Sequence, residues 1–200
     1  MTTLTDIRTR VRQDLKDSDA ANYRWSDSEL NRHIQRALDE TSRAIPLETS
    51  ATLMTTPGSR SLSLASLSGL IAVEAVEYPV GQFPPEYAQF SAWATGITLL
   101  VDSAPASALP VSVFYTAQHT LDGSGTTLAG FQEDIVATGA SAFAVLESSA
   151  AAIDRLSIGG GAVPEQFLAW ARAREIAFRQ LLIQHARRGR VRVSRVYAAG

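Results

Sequence analysis

The sequence predicts an α+β protein in which a four-helix core is interrupted by an antiparallel β-rich insert between helices 2 and 3. Apolar residues recur with helical spacing at both ends of the chain, whereas a period of two and frequent proline or glycine turns mark the middle. We therefore expect residues 1–46 and 121–188 to form the helical core. Residues 47–120 should form a small sandwich or barrel, and residues 189–200 an extended C-terminal arm.

The first helix is predicted over residues 3–16, where apolar residues recur every three or four positions. The apolar residues are Leu4, Ile7, Val11 and Leu15. Charged residues fill the other faces, namely Arg8, Arg10, Arg12, Asp14 and Lys16. A polar loop over residues 17–22 follows.

A capping box predicts the start of the second helix. In the run Ser26-Asp27-Ser28-Glu29, the hydroxyl of Ser26 is placed to accept from the amide of Glu29, whose side chain can reach back. Trp25 and Leu30 stand at the two positions of a hydrophobic staple. Pro46 predicts that this helix ends near Ala44.

Short strands are predicted throughout the insert, because β-compatible stretches alternate with turn signals. The predicted strands cover residues 47–53, 60–64, 71–78, 88–94, 97–101 and 111–115. The segment 61–70 is also compatible with a loop, since serine and leucine alternate there with few β-branched residues.

The third helix is predicted from about Phe131 to Ile153, and its many small residues indicate burial between other helices. The run Gly159-Gly160-Gly161 predicts a break. Pro164 then favours the first turn of a fourth helix, which should end near Arg188.

Charge is unevenly distributed along the chain. Residues 165–200 contain eight arginines and two glutamates, a net charge of +6, whereas the rest contains ten basic and eighteen acidic residues, a net charge of −8. Such a chain can attract copies of itself or an acidic partner. Residues 190–197 alternate basic and apolar side chains, which predicts a strand that pairs with the chain's own sheet or with a neighbour's edge.

Catalytic and cofactor sites are not predicted. The chain has no cysteine, and its three histidines, His33, His119 and His185, are far apart in sequence. His33 is expected at the surface or partly packed. The glycine run lacks the lysine and serine or threonine of a P-loop, and residues 122–125 lack a nucleophile elbow and calcium-loop spacing. No metal and no cofactor are therefore expected.

The sequence also predicts no membrane association and synthesis in the cytosol. No apolar run reaches the roughly 18 residues that a membrane helix needs, and the first residues lack the features of a secretory signal. Specific DNA binding is not favoured either, because the chain is slightly acidic and only Tyr197 accompanies the terminal arginines.

The order of elements resembles the head-to-tail connector (adaptor) proteins of tailed bacteriophages and related gene-transfer particles. The resemblance lies in the Trp25–Leu30 helix start with Ile34 and Ala37-Leu38, in Val113–Leu121, and in the alanine-rich Ile135–Ala142. In layout it covers nearly the whole chain, although many members of that family are shorter and lack so large a β insert.

This resemblance implies a structural virion protein at the portal vertex or neck, made in the host cytoplasm. It implies a homo-oligomeric ring, commonly of twelve, that docks on the portal protein and contacts a tail or stopper protein. DNA would pass through the ring without sequence-specific binding. The residues implied to bind the portal are Arg187, Arg188, Arg190, Val191, Arg192, Val193, Arg195, Val196 and Tyr197.

Other classes remain open at this stage. A tail-completion protein, or another neck or tail component, could share the same helical core. An enzyme that uses His119 or His185 and a DNA-binding module are further alternatives.

Overall fold

The computed structural model describes residues 1–156 and 165–188. The chain divides into two compact units, which we call the helical unit (Met1–Ile45 with His119–Gly200) and the β unit (Pro46–Gln118). The predicted α+β class is confirmed, because the described residues form four helices and two antiparallel sheets. The glycine run, Pro164 and the predicted arm lie outside the described residues.

The helices are α1 (Leu4–Asp14), α2 (Asp27–Ala44), α3 (Gly130–Leu156) and α4 (Glu165–Arg188). A capping box that the sequence analysis missed begins α1, where the Thr3 hydroxyl accepts from the amide of Asp6 at 3.4 Å and the Thr3 amide donates to the Asp6 carboxylate at 2.8 Å. This helix ends two residues earlier than expected, since Lys16 has a left-handed φ of 56° that a helix cannot continue through.

The core of the helical unit is built around α3, which packs against each of the other three helices. Val136, Ala140 and Ala144 are fully buried, so the predicted burial of this helix is confirmed. Small residues along α3 allow the close approach of its neighbours. Gly139 on α3 lies directly against the ring of Phe178 on α4.

The β unit contains six strands in two three-stranded antiparallel sheets. The strands are β1 (Leu47–Met54), β2 (Ser61–Ser63), β3 (Leu70–Glu77), β4 (Phe90–Trp93), β5 (Gly96–Leu99) and β6 (Pro110–Ala117). The strand orders are β1-β6-β3 and β2-β5-β4. Both interpretations of the segment 61–70 hold in part, because its first three residues form β2 and Leu70 begins β3, whereas residues 64–69 form the connection between the two strands.

One apolar core is shared by the two sheets. Leu62, Ile97 and Leu99 come from one sheet, and Val76, Val111 and Val113 come from the other. These residues alternate with more exposed ones along β5 and over the first half of β6, as a half-buried strand requires.

Candidate interaction site

The helix-start motif has a structural role in the helical unit; its residues are Trp25, Ser26, Glu29 and Leu30. Ser26 caps α2, accepting from the amide of Glu29 at 3.3 Å, while the Ser26 amide donates to the Glu29 carboxylate at 2.7 Å. The hydrogen bonds from Ser26 hold the pKa of Glu29 below its ordinary value. Trp25 and Leu30 are buried, so they contribute to the core and are not available to a partner.

Arg12, a buried arginine on α1, connects that helix to the start of α2. The Arg12 guanidinium donates to the carboxylate of Asp17 at 2.5 Å and to the carbonyl oxygen of Trp25 at 3.0 Å. It also donates to the carboxylate of Asp27 at 2.7 Å, which lowers the pKa of that group. The Tyr23 ring lies 3.5 Å from the guanidinium carbon, a cation–π distance.

The expectation that Arg12 lies on an exposed face of α1 was wrong, because Arg12 is only 6% exposed. Helical periodicity assigns a charged residue to the surface, but it does not account for a guanidinium whose charge is paired within the fold. Asp17, which lies in the predicted polar loop over residues 17–22, is equally buried. The spacing of Asp17 from Arg12 in the sequence does not by itself predict that the two residues form an ion pair.

The residues predicted to bind a partner lie at and beyond the end of α4. Arg187 and Arg188 are the last two residues of the helix, and their side chains are outside the described residues. Arg190, Val191, Arg192, Val193, Arg195, Val196 and Tyr197 lie outside the described residues as well.

His119 lies where the chain returns from the β unit, and it contacts the residues just before the chain enters that unit. Its amide donates to the hydroxyl of Ser42 at 3.1 Å, and its Nε2 lies 3.0 Å from the carbonyl oxygen of Ile45. A carbonyl can only accept, so Nε2 carries the hydrogen and Nδ1 accepts from the Thr127 hydroxyl at 3.1 Å. The amide nitrogen of Gln132, 3.2 Å from Nε2, is then a neighbour and not a partner.

Burial favours the neutral form of His119 and of His33. It lowers the pKa of both rings, even though Nε2 of His33 lies 3.6 Å from the Glu147 carboxylate. Loss of hydration outweighs that carboxylate, because Glu147 is half exposed and is also paired with Arg32. The expectation of a surface or partly packed His33 was wrong, since this residue is 4% exposed.

Other functional groups give little sign of chemistry. Within residues 1–156 and 165–188, no three histidine or acidic side chains are arranged to hold a metal ion. Over the same part of the chain, no helix is both long and apolar enough to cross a bilayer. His185 stacks on Phe131 with ring centroids 4.7 Å apart.

These features define an α+β protein whose polar clusters join helices and loops within its own fold. A family model described as "SU10 adaptor protein" matches residues 2–194, so the chain belongs to the SU10 adaptor family. The predicted resemblance to adaptors is thereby confirmed, and the chain is a structural protein of a phage-like particle and not an enzyme.

Two solved structures show a remote likeness. A chain in the neck of an empty gene transfer agent particle, computed with C6 symmetry, is 15% identical with a TM-score of 0.31, over 71% of this chain and 77% of that chain. A chain in the virion of a native gene transfer agent particle is 15% identical with a TM-score of 0.30, over 86% and 88%. No curated protein matches the chain.

Proposed function

We propose that the protein is the ring-forming head–tail adaptor in the neck of its particle. In this role about twelve copies form a closed ring that docks on the portal protein, joins it to the tail or a stopper protein, and surrounds the DNA channel. The match of residues 2–194 to an adaptor family is the observation that carries this proposal. The copies assemble in the host cytoplasm, without a membrane.

The C-terminal arm is the proposed contact with the portal. Arginine and valine alternate over residues 190–193, and Ser194-Arg195-Val196 continue the run, a composition suited to adding a strand to a partner's sheet edge. Arginine is also the basic residue best suited to bidentate pairing with carboxylates across an interface. Arg187 and Arg188 would extend this basic surface onto α4.

DNA contacts in the proposed channel are non-specific and weak. The chain has a net charge of −2, and each phosphate neutralised by a basic side chain would add retention. A slightly acidic ring therefore suits a passage through which DNA must slide.

Portal binding by truncated and substituted chains tests the proposal. The full chain should co-elute with purified portal, whereas a chain ending at Arg188 should keep its helical circular dichroism and lose that binding. Two matched variants distinguish the contribution of charge from that of apolar contact. One changes Arg190, Arg192 and Arg195 to glutamine, and the other changes Val191, Val193 and Val196 to serine. Unchanged portal binding by the truncated chain would refute the docking arm. A full chain that stays monomeric and never joins the portal would refute the adaptor role.

A further inference from the structure

One face of α4 displays an alternating basic and apolar stripe. Arg172, Ile176, Arg179 and Ile183 follow one another at spacings of four, three and four, which places them on one line of the helix. All four are exposed, and the isoleucines keep 56% and 55% of their surface. The core-facing residues of the same helix, Ala171 and Phe178, are fully buried, so this stripe points away from the core.

This helix is also basic. It contains five arginines and two glutamates, a net charge of +3. Arg179 donates twice to Glu175, at 3.1 and 2.8 Å, and Arg174 pairs with Asp14. Arg172 makes no ion pair or hydrogen bond within the part of the chain that the structure describes, so its charge is available to another chain.

The β unit carries exposed aromatic residues of the kind that anchor interfaces. Phe83 is 97% exposed and Trp93 is 88% exposed. Phe83 is held on a hydrogen-bonded loop, in which the amide of Tyr78 donates to the carbonyl oxygen of Glu86 at 3.0 Å. Trp93 lies at the end of the β4–β5 hairpin, opposite Gly96. Aromatic side chains on such anchored backbone can be buried by a partner at low cost in backbone ordering.

The charge of the β unit is opposite to that of α4. Residues 46–118 contain five acidic residues and one arginine, a net charge of −4. That arginine, Arg60, already donates to the carbonyl oxygens of Val101 and Asp102 at 2.9 and 2.6 Å. Glu86 is exposed and lies three residues from Phe83.

We propose that the β unit of one copy packs against the α4 stripe of the next copy. Phe83 and Trp93 cover Ile176 and Ile183, and carboxylates such as Glu86 face Arg172 and Arg179. A ring needs two different complementary surfaces on every subunit. Here the β unit supplies a net negative charge and exposed aromatic side chains, and α4 supplies a basic and aliphatic stripe. The inference rests on the proposed ring and names the surfaces that close it.

Cross-linking tests the contact directly, because the chain has no cysteine of its own. A chain with Phe83→Cys and Ile176→Cys, and a second with Trp93→Cys and Ile176→Cys, should give a ladder of covalent multimers with a short bismaleimide. The control joins Phe83→Cys to Ala20→Cys, a residue in the exposed loop before α2, and should stay monomeric on a denaturing gel. Rings without a ladder above the control would overturn the inference and leave the ring intact. Wild-type chains that never associate would overturn both.

Charge reversal gives an independent test. Arg172→Glu should weaken self-association about tenfold, since it places like charges across the contact. Adding Glu86→Arg to that chain should restore most of the loss, while the single variants keep the wild-type circular dichroism. Wild-type self-association in the Arg172→Glu chain, or a failure of Glu86→Arg to restore it, would count against this pairing of surfaces. Portal binding followed in parallel would show whether the partner of α4 is the portal instead.

Discussion

Gly139 on α3 lies so close to Phe178 on α4 that a Cβ at this glycine would stand 2.8 Å from Cε2 of the ring. Phe178 is fully buried and meets Phe143 edge-on, with centroids 5.7 Å apart. The ring therefore lies between Gly139 on one side and Phe143 on another. The two helices pack at this distance only because position 139 has no side chain.

Gly139→Ala should therefore destabilise the protein by about 1–3 kcal/mol, because the added methyl group overpacks the core. The measurement is the free energy of unfolding in urea. Gly130→Ala is the matched control at the start of the same helix, where an added Cβ meets nothing within 4 Å. Equal stability of the two variants would mean that α3 and α4 are farther apart than described here.

Arg12→Met should cost about 3–5 kcal/mol, because it leaves the buried carboxylate of Asp17 without its cation. The amide of Arg24 still donates to that carboxylate at 2.7 Å but does not neutralise its charge. Arg32→Ala is the control, since both members of its pair with Glu147 are more than half exposed, and it should cost at most about 1 kcal/mol. The measurement is the stability of each variant relative to the wild type in thermal unfolding. A small effect of Arg12→Met would show that water reaches Asp17.

Stability should fall on acidification below about pH 6.5. Burial lowers the pKa of His33 and His119 in the folded protein, whereas in the unfolded chain both titrate near 6.5. The unfolded chain therefore takes up protons first, and the contribution present above pH 6.5 is lost as the pH falls. Each histidine adds a slope of at most about 1.4 kcal/mol per pH unit. A double variant with both histidines changed to glutamine should show a shallower decline in Tm, and an unchanged slope would contradict this assignment.

Ser26→Ala should destabilise α2 by about 1 kcal/mol, because it removes the acceptor for the Glu29 amide. Ser28→Ala is the control, and it should change stability by less than about 0.5 kcal/mol. Among residues 1–156 and 165–188, the Ser28 hydroxyl has a hydrogen bond only with that of Ser26, at 3.0 Å. Urea unfolding distinguishes the two. A larger loss for Ser28→Ala would mean that the cap is held differently.

Local signals predicted the fold well. The Ser26 box fixed the start of α2, and the change of period near Leu47 located the β unit, because capping and periodicity act over a few neighbouring residues. The pairing of β6 between β1 and β3 was not predicted, since strand order depends on contacts between distant segments. The ion pair of Arg12 and Asp17 was not predicted either, because helical periodicity does not show which charged side chains are paired within the fold.

The interaction site was less predictable. The sequence predicts a partner-binding arm from its alternation and charge, and this remains a prediction. It does not predict the stripe on α4, because Ile176 and Ile183 look like any apolar residues of a packed helix. The structure is needed to show which apolar residues of α4 are exposed, because Ala171 and Phe178 occupy the face that packs against the core.

The closeness of His119 to Ile45 has an evolutionary consequence. The chain leaves the helical unit and returns to it at nearly the same point, and just beyond, Leu47 and Ala117 are paired across β1 and β6. A short turn could bridge that gap at little entropic cost, so the segment in between can be lengthened, exchanged or lost without re-routing the helices. Related chains can thus keep one bundle while varying what they attach to it.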